Sequence, residues 1–299
     1  MTVVRIQVPA TSANLGPGFD VLGVALDLYN YIYMEEMSGL DIKVRGEGKD
    51  QISCREDNIV YRAAQEVYLR VGLEPSGFRI ILENNIPVAR GLGSSAAAIA
   101  GGLVGANALL GNPLNREELI SMAVSLEGHP DNVVAAMVGG FIVAARCEEA
   151  TCYKRFDPPK SLHFQVAVPD FTLLTEAARN VLPETISLKD AVFNLGNTAL
   201  LVAALASGDL ETMGKSMCDK LHQPHRMDLV PGMQQVFTAA KEAGSLGVAL
   251  SGSGPTVIAL CSGSCPQVGF AMQKAFEKHG ILCKVMELTV SQTGAVQVE

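Results

Sequence analysis

Apolar positions divide the chain into short alternating runs and longer stretches of helical period. Residues 3–8, Val3-Val4-Arg5-Ile6-Gln7-Val8, alternate like a half-buried strand. Residues 9–23 then read as a polar, glycine-punctuated loop. Strand character resumes over Leu26–Met34 and returns at Ile42–Val44 and Phe78–Leu82. Asp57-Asn58 marks a helix start, with Ala63, Ala64, Val67 and Val71 at helical spacing behind it. Asn115 caps another helix over residues 116–126, where Glu117 and Glu118 suit the positive end of the dipole. A strand is expected over 139–145.

Residues 147–160 are polar, contain prolines and lack a clear period, which places a domain boundary there and predicts domains of 1–155 and 156–299. Beyond it a strand is expected at Phe164–Pro169. Helices follow at Leu188–Ser207, Leu210–Lys220 and near Met233–Ala243. Strands at Gly247–Leu250 and Thr256–Leu260 flank a glycine turn. A helix at Gln267–His279 and a last strand at Cys283–Leu288 finish the pattern. Strands and helices mix without strict βαβ alternation, so the fold class is α+β and not a doubly wound sheet.

Composition refines this picture in a few places. A chain of 299 residues, 48% hydrophobic, 18% charged and without tryptophan, has ample material for a globular core. The net charge of −8 leaves no basic stripe for a nucleic-acid backbone, although a local nest of N–H groups still accommodates a small anion. Seven cysteines without paired spacing read as reduced thiols of a cytoplasmic protein. The N-terminus lacks the apolar core of a signal peptide. Ser94–Leu110 is nearly all apolar, with Gly101 and Gly105 in GxxxG spacing. It falls short of the roughly 20 residues of a membrane span and contains Asn107, so it reads as a buried soluble helix whose small residues admit close packing.

The chemistry begins just before that helix, in Pro87-Val88-Ala89-Arg90-Gly91-Leu92-Gly93-Ser94-Ser95-Ala96-Ala97. Two glycines let successive N–H groups converge, and the helix N-terminus adds its positive end, which makes an anion site of phosphate size. No lysine follows the glycines, so this is not the common P-loop. The missing cation is most simply a metal ion held by a nearby carboxylate.

Two other loops accompany it: Pro9-Ala10-Thr11-Ser12-Ala13-Asn14-Leu15-Gly16-Pro17-Gly18-Phe19-Asp20, and Ser251-Gly252-Ser253-Gly254-Pro255-Thr256. Taken singly, each is more often a plain turn than a site. Together, in this order, they resemble the signatures of the galactokinase–homoserine kinase–mevalonate kinase–phosphomevalonate kinase (GHMP) superfamily. The first loop, with Glu127-Gly128-His129-Pro130-Asp131-Asn132, Thr175-Glu176-Ala177-Ala178-Arg179 and His222-Gln223-Pro224-His225-Arg226, looks like the homoserine kinase family within it.

That resemblance implies a ribosomal-protein-S5-like N-terminal domain, a ferredoxin-like C-terminal domain, and transfer of the γ-phosphoryl group of ATP to the side-chain hydroxyl of L-homoserine. The expected ATP site comprises Pro87, Arg90, Gly91, Leu92, Gly93, Ser94, Ser95, Ala96, Ala97 and, further off, Asn58, which is equally an ordinary helix cap. Ser95 and Glu127 are expected to hold Mg²⁺, although Glu127 also fits a solvated helix-end acid. Arg179 and Arg226 suit the substrate carboxylate, because a guanidinium binds it bidentately. Asp20 suits the ammonium, Asn14 the ammonium or hydroxyl, and His129 and Thr175 complete the pocket. Asp131, with Asn132 beside it, is the candidate base, and Ser251, Gly252, Ser253 and Gly254 form a turn near the phosphates.

A homodimer with no nucleic-acid or membrane partner is expected, feeding threonine synthesis. Two rivals stay open: a GHMP kinase for mevalonate or shikimate, and a non-catalytic ligand sensor of the same fold. Two decoys are set aside. Gly208 to Ser216 resembles a Walker loop but has five residues between its glycines and reads as an inter-helix turn. Cys218, His222 and His225 suggest a metal site, yet Pro224 interrupts the helical geometry and no fourth ligand is near.

Overall fold

Polar residues near the N-terminus turn out to lie inside the protein. The computed structural model describes residues 2–147 and 150–299. Strand β1 (Val4–Asn14) runs straight through the expected loop, reverses over three residues and returns as the long strand β2 (Gly18–Glu36). Thr11 and Ser12 are fully buried, because their hydroxyls bond Asn132 and Ser251 of other elements and not solvent. Asn14, Leu15 and Gly16 all have positive φ, which lets the chain reverse so tightly.

Strand β3 (Gly39–Gly46) follows, then α1 (Ile59–Arg70) and β4 (Gly77–Asn84), which pairs parallel to β3. Helix α2 (Ser94–Leu109) is buried, and α3 (Arg116–Glu127) begins with a capping box between Asn115 and Glu118. Helix α4 (Pro130–Val138), absent from the sequence pattern because nearly every residue is buried, precedes β5 (Phe141–Cys147). The stretch expected to be irregular contains β6 (Ala150–Phe156), hydrogen-bonded to β5. It alternates between exposed and half-buried positions, but its inward residues Thr151, Tyr153 and Arg155 are too polar to signal a strand.

The second half opens with β7 (Leu162–Pro169), then α5 (Thr175–Asn180), α6 (Leu188–Ser207) and α7 (Leu210–Lys215). Helix α7 stops well before Lys220, and the chain turns irregularly into the short α8 (Gln223–Arg226). Pro224 does not spoil that turn; it occupies the first turn of α8, where its missing N–H costs nothing. Next come α9 (Met233–Glu242), β8 (Gly247–Leu250), β9 (Val257–Ser262), α10 (Pro266–Glu277), β10 (Cys283–Thr289) and β11 (Val296–Val298). Strand β10 is therefore not the last: β11 returns to pair with β1 through Arg5 and Val298.

Two sheets result, one ordered β11-β1-β2-β4-β3 with β5 and β6 branching from β2, the other an antiparallel β10-β7-β9-β8. A continuous core joins Val8, Ile32 and Leu103 of the first layer to Phe164 and Leu260 of the second sheet. A second cluster of Val236, Met272 and Phe276 seals α9 and α10 onto the other side. The small residues of α2 do admit close approach, chiefly at Gly102, where a Cβ would crowd the Val60 carbonyl. Gly101 and Gly105 face side chains of β1 and β2 instead. Helix α6 is apolar and mostly outside the core, with Leu188, Val192, Leu195 and Leu200 exposed.

The reduced-thiol expectation is corrected at one pair. Cys261 and Cys265 form a disulfide across the short β9–α10 connection, where the Cα atoms stand 6.5 Å apart, within bridging range. The expected inter-helix turn over 208–216 is shorter than that: Gly208 ends α6 in the left-handed region, Asp209 caps α7, and Leu210–Lys215 is already helix.

Candidate functional site

One cavity of about 470 Å³ runs from the α2 turn to α5 and α8 and draws on both halves of the chain. Its phosphate-facing end is built from backbone. Gly91 and Gly93 have φ of 79° and 69°, and each is hemmed in: a Cβ at Gly91 would strike the Ser251 carbonyl, and one at Gly93 the Thr11 hydroxyl. Gly93 is the N-cap of α2 and offers no side-chain acceptor, so the first-turn N–H groups remain for an external anion. Arg90, Gly91, Gly93, Ser94 and Ser95 line the cavity there.

Ser95 donates its hydroxyl to Glu127 Oε2 at 2.9 Å. Burial raises the Glu127 carboxyl above its usual range, against the opposing pull of the Ser95 hydrogen bond. A hydroxyl and a carboxylate beside a phosphate cradle are hard oxygen donors that fit a magnesium ion.

Beyond the turn lies an apolar slot that sequence reasoning missed. Ile32, Ile52, Leu82 and Val88 line it, with Gln51 and Asn84 at its rim. These residues come from β2, the loop before α1, β4 and the α2 turn, so no local pattern joins them. Asn58 borders the slot, but its amide caps α1 through Val60 and Tyr61 and also donates to the Ser53 carbonyl. Asn58 thus caps α1 and borders the slot at once.

In the middle, His129 occupies the N-cap position of α4 without a capping bond, and Asp131 and Asn132 sit in the first turn. Asp131 is 2% exposed. Its Oδ1 meets His129 Nδ1 at 2.9 Å and accepts from the Asn132 backbone N–H at 2.8 Å and side chain at 3.3 Å. Among the described residues no donor reaches Oδ2, which is left for a ligand. Burial works to lower the His129 pKa, but the hydrogen bond and negative charge of Asp131 outweigh it and the net shift is upward. The Thr11 hydroxyl donates to Asn132 Oδ1 at 2.9 Å and fixes that amide. Asp20, His129 and Asp131 lie close enough to hold a cation, but Arg179 already takes both oxygens of Asp20, and His129 Nδ1 is engaged with Asp131 Oδ1.

The far end is built from side chains. Arg179 grips Asp20 bidentately at 2.6 and 3.1 Å, and that bond raises the guanidinium pKa further. Arg226 is 2% exposed, and among the described residues it meets only neutral acceptors: the Ala178 and Gly252 carbonyls and His222 Nδ1, at 3.0 to 3.1 Å. Burial, and then the charge of Arg179, pull its pKa down to about 10. Both guanidinium groups lie over the Phe19 ring, each 5.4 Å from its centroid. A buried cation without an anionic partner is costly, and a carboxylate in the cavity would relieve it.

Not every expected residue reaches the cavity. Pro87, Leu92, Ala96 and Ala97 are buried behind the turn and do not line it. Of the glycine turn only Ser253 does. Ser251 instead bonds Ser12 and the Gly91 carbonyl, and Gly252 offers its carbonyl to Asn14 and Arg226. That turn braces the phosphate loop from behind. Asn14 borders the cavity, but its amide is engaged with the Gly252 carbonyl and the Asp20 N–H. Thr175, His129, Arg179 and Arg226 do line it.

Residues 58–140 match the family model of the GHMP kinases N terminal domain, and residues 201–278 that of GHMP kinases C terminal. A homoserine kinase of Moorella thermoacetica is 52% identical over 98% of this chain and 99% of its own. The crystal structure of homoserine kinase from Cytophaga hutchinsonii superposes with a TM-score of 0.91 at 32% identity, covering 100% of this chain and 98% of that one. Mevalonate kinase of L. major, in complex with R-mevalonate, reaches a TM-score of 0.70 at 18% identity over 98% and 96% of the two chains, which shows the shared fold alone.

Proposed function

The chain belongs to the GHMP kinase family, and from that premise we propose that it phosphorylates the side-chain hydroxyl of L-homoserine with ATP. The observation that carries this reading is the joining, in one cavity, of a backbone phosphate cradle to a paired acid and two guanidinium groups. A substrate that is at once cation, anion and alcohol matches such a site. Mevalonate and shikimate lack the ammonium that Asp20 would receive, and a ligand sensor has no need of a free carboxylate oxygen at Asp131.

The adenine would occupy the slot of Ile32, Ile52, Leu82 and Val88, with the phosphates on the N–H groups of the α2 turn. Ser95 and Glu127 would hold Mg²⁺, whose contribution is to neutralise charge on the phosphate oxygens. Homoserine would insert at the Asp20–Arg179 pair: its ammonium takes up Asp20, and its carboxylate is drawn to Arg179 and to the unpaired Arg226. That exchange keeps charges matched at every stage. Asp131 Oδ2 would receive the hydroxyl proton, with Asn132 beside it held by Thr11. In a loose transition state the alcohol deprotonates late, so orientation counts for at least as much as basicity.

The product, O-phospho-L-homoserine, leads toward threonine. We place the enzyme in the cytoplasm, with residues 1–155 holding most of the nucleotide site and 156–299 the carboxylate-reading arginines. The exposed apolar face of α6 supports a homodimer. The direct test follows ADP release and ³¹P spectra with ATP, Mg²⁺ and each of L-homoserine, mevalonate and shikimate; turnover is expected with homoserine alone. Turnover with mevalonate, or binding of homoserine without ADP release, would replace this reading. Asp131→Asn is expected to lower kcat by about 10²–10⁴-fold if Asp131 is the base, and near-normal turnover would remove it from that role.

A further inference from the structure

We propose that His222 is a positioning residue that sets the spacing between the ammonium-reading and carboxylate-reading sides of the amino-acid site; the proposal rests on the homoserine reading above. His222 is wholly buried in the irregular turn between α7 and α8. Its Nε2 lies 2.8 Å from the Gly16 carbonyl and its Nδ1 lies 3.1 Å from Arg226 Nη1. A carbonyl only accepts and a guanidinium only donates. Nε2 therefore carries the proton and Nδ1 receives the arginine N–H, which fixes a single neutral tautomer.

Both partners belong to the substrate site. Arg226 is the cation without an anionic partner among the described residues. Gly16 sits in the reversal between β1 and β2, shortly before Phe19 and Asp20, and the Phe19 ring also packs on the imidazole at 5.3 Å. The imidazole thus spans the hairpin that presents Asp20 and the helix that presents Arg226. In an α-amino acid the ammonium and carboxylate share one carbon, so the distance between their readers must be held closely.

The turn carrying His222 is itself locked. The Asp219 side chain is buried, and its two oxygens accept from Asn194 Nδ2 and from the backbone N–H groups of Leu221, His222 and Gln223. The charged groups acting on the ring are Asp219 on its own turn, Arg226 on α8 and Asp20 on β2. Burial pushes the imidazole pKa down to about 4, so at neutral pH the ring keeps its acceptor for Arg226. A protonated Nδ1 would instead confront the guanidinium donor.

The test compares H222L, which removes both contacts, with H222N, whose Oδ1 stands where Nδ1 does and retains an acceptor for Arg226. Homoserine binding is measured by calorimetry with a non-hydrolysable ATP analogue bound, and KM and kcat by ADP release. H222L is expected to weaken homoserine about tenfold or more, with nucleotide affinity within about twofold and kcat changed less than KM. H222N should fall between H222L and the unaltered protein. In H222L the loss on replacing homoserine by 4-hydroxybutyrate, which lacks the ammonium, should shrink. Equal loss of homoserine and nucleotide, or unchanged homoserine affinity in either variant, would overturn the proposal. Should H222L not fold, the selective effect in H222N decides alone. Because calorimetry reads binding without turnover, a protein that binds homoserine but does not phosphorylate it would overturn the functional reading while still testing His222.

Discussion

The two ends of the cavity solve the same problem, holding charge away from water, with different materials. At the α2 turn the binding groups are peptide N–H, and the side chains that matter are the ones missing: Gly91 and Gly93 fit only because they have no Cβ. At the far end the binding groups are side chains, and each is held by a carbonyl, a ring nitrogen or an opposite charge from a distant segment. A backbone site needs its own turn and the segments that brace it, here the Ser251 turn and β1. A side-chain site is fixed only when the β1–β2 reversal, α5 and α8 have all come together. The first end should therefore fail on a single added methyl, and the second should respond to the removal of any one support.

The largest expected effect on binding separates the ends outright. Arg226→Met removes a buried cation that has no anionic partner among the described residues and leaves the substrate carboxylate to Arg179. Truncating one member of a buried charge pair costs about 2–5 kcal/mol, so KM for homoserine should rise about a hundredfold while nucleotide affinity holds. Kinetics at saturating ATP, with an independent nucleotide titration, read the two numbers. If nucleotide affinity falls in step, the two ends are one cooperative unit and the contrast dissolves.

The same contrast explains what the sequence revealed. Glycine spacing before an apolar helix is local, so the phosphate turn and α2 were legible directly. So was the capping box at Asn115 and Glu118. Asp20, Arg179 and Arg226 became legible only through resemblance to a family, because each is an ordinary charged residue in its own neighbourhood. The apolar slot left no trace: Ile32 and Leu82 look like strand interior whether they face a core or an adenine. Thr11 and Ser12 misled for a related reason, since polar residues beside glycines suggest solvent and here bond across the molecular interior. Helix α4 and strand β6 escaped because one has no polar face and the other too little apolar contrast. The disulfide was hidden because close spacing along the chain does not reveal how a turn folds.

A smaller effect probes the backbone end. Gly93→Ala places a methyl group against the Thr11 hydroxyl at a φ that L side chains rarely adopt. Such strain costs about 1–3 kcal/mol, part of it as stability in denaturant unfolding and part as weakened nucleotide binding. Homoserine affinity measured without nucleotide should be unaffected. A loss confined to homoserine would mean that Thr11, through Asn132, transmits to the amino-acid end.

The smallest effect falls on the acid that serves the phosphates without belonging to the backbone cradle. Glu127 must be ionised to hold a metal ion, and burial raises its pKa above the ordinary value of 4.5. The sign follows directly: as pH falls toward that raised pKa the carboxylate is lost, and the Mg²⁺ concentration needed for half-maximal rate should climb at higher pH than an exposed glutamate would give. Glu127→Gln keeps the shape and a partner for Ser95 but has no charge to lose. Its Mg²⁺ requirement should be higher by about tenfold and should no longer rise on acidification through that range. Titrating Mg²⁺ at several pH values in both proteins makes the measurement. A pH dependence that persists in the variant would move the titrating group elsewhere, with His129 and Asp131 next to be replaced, and the acid at the phosphate end would then be a structural neighbour of Ser95 with no part in holding the ion.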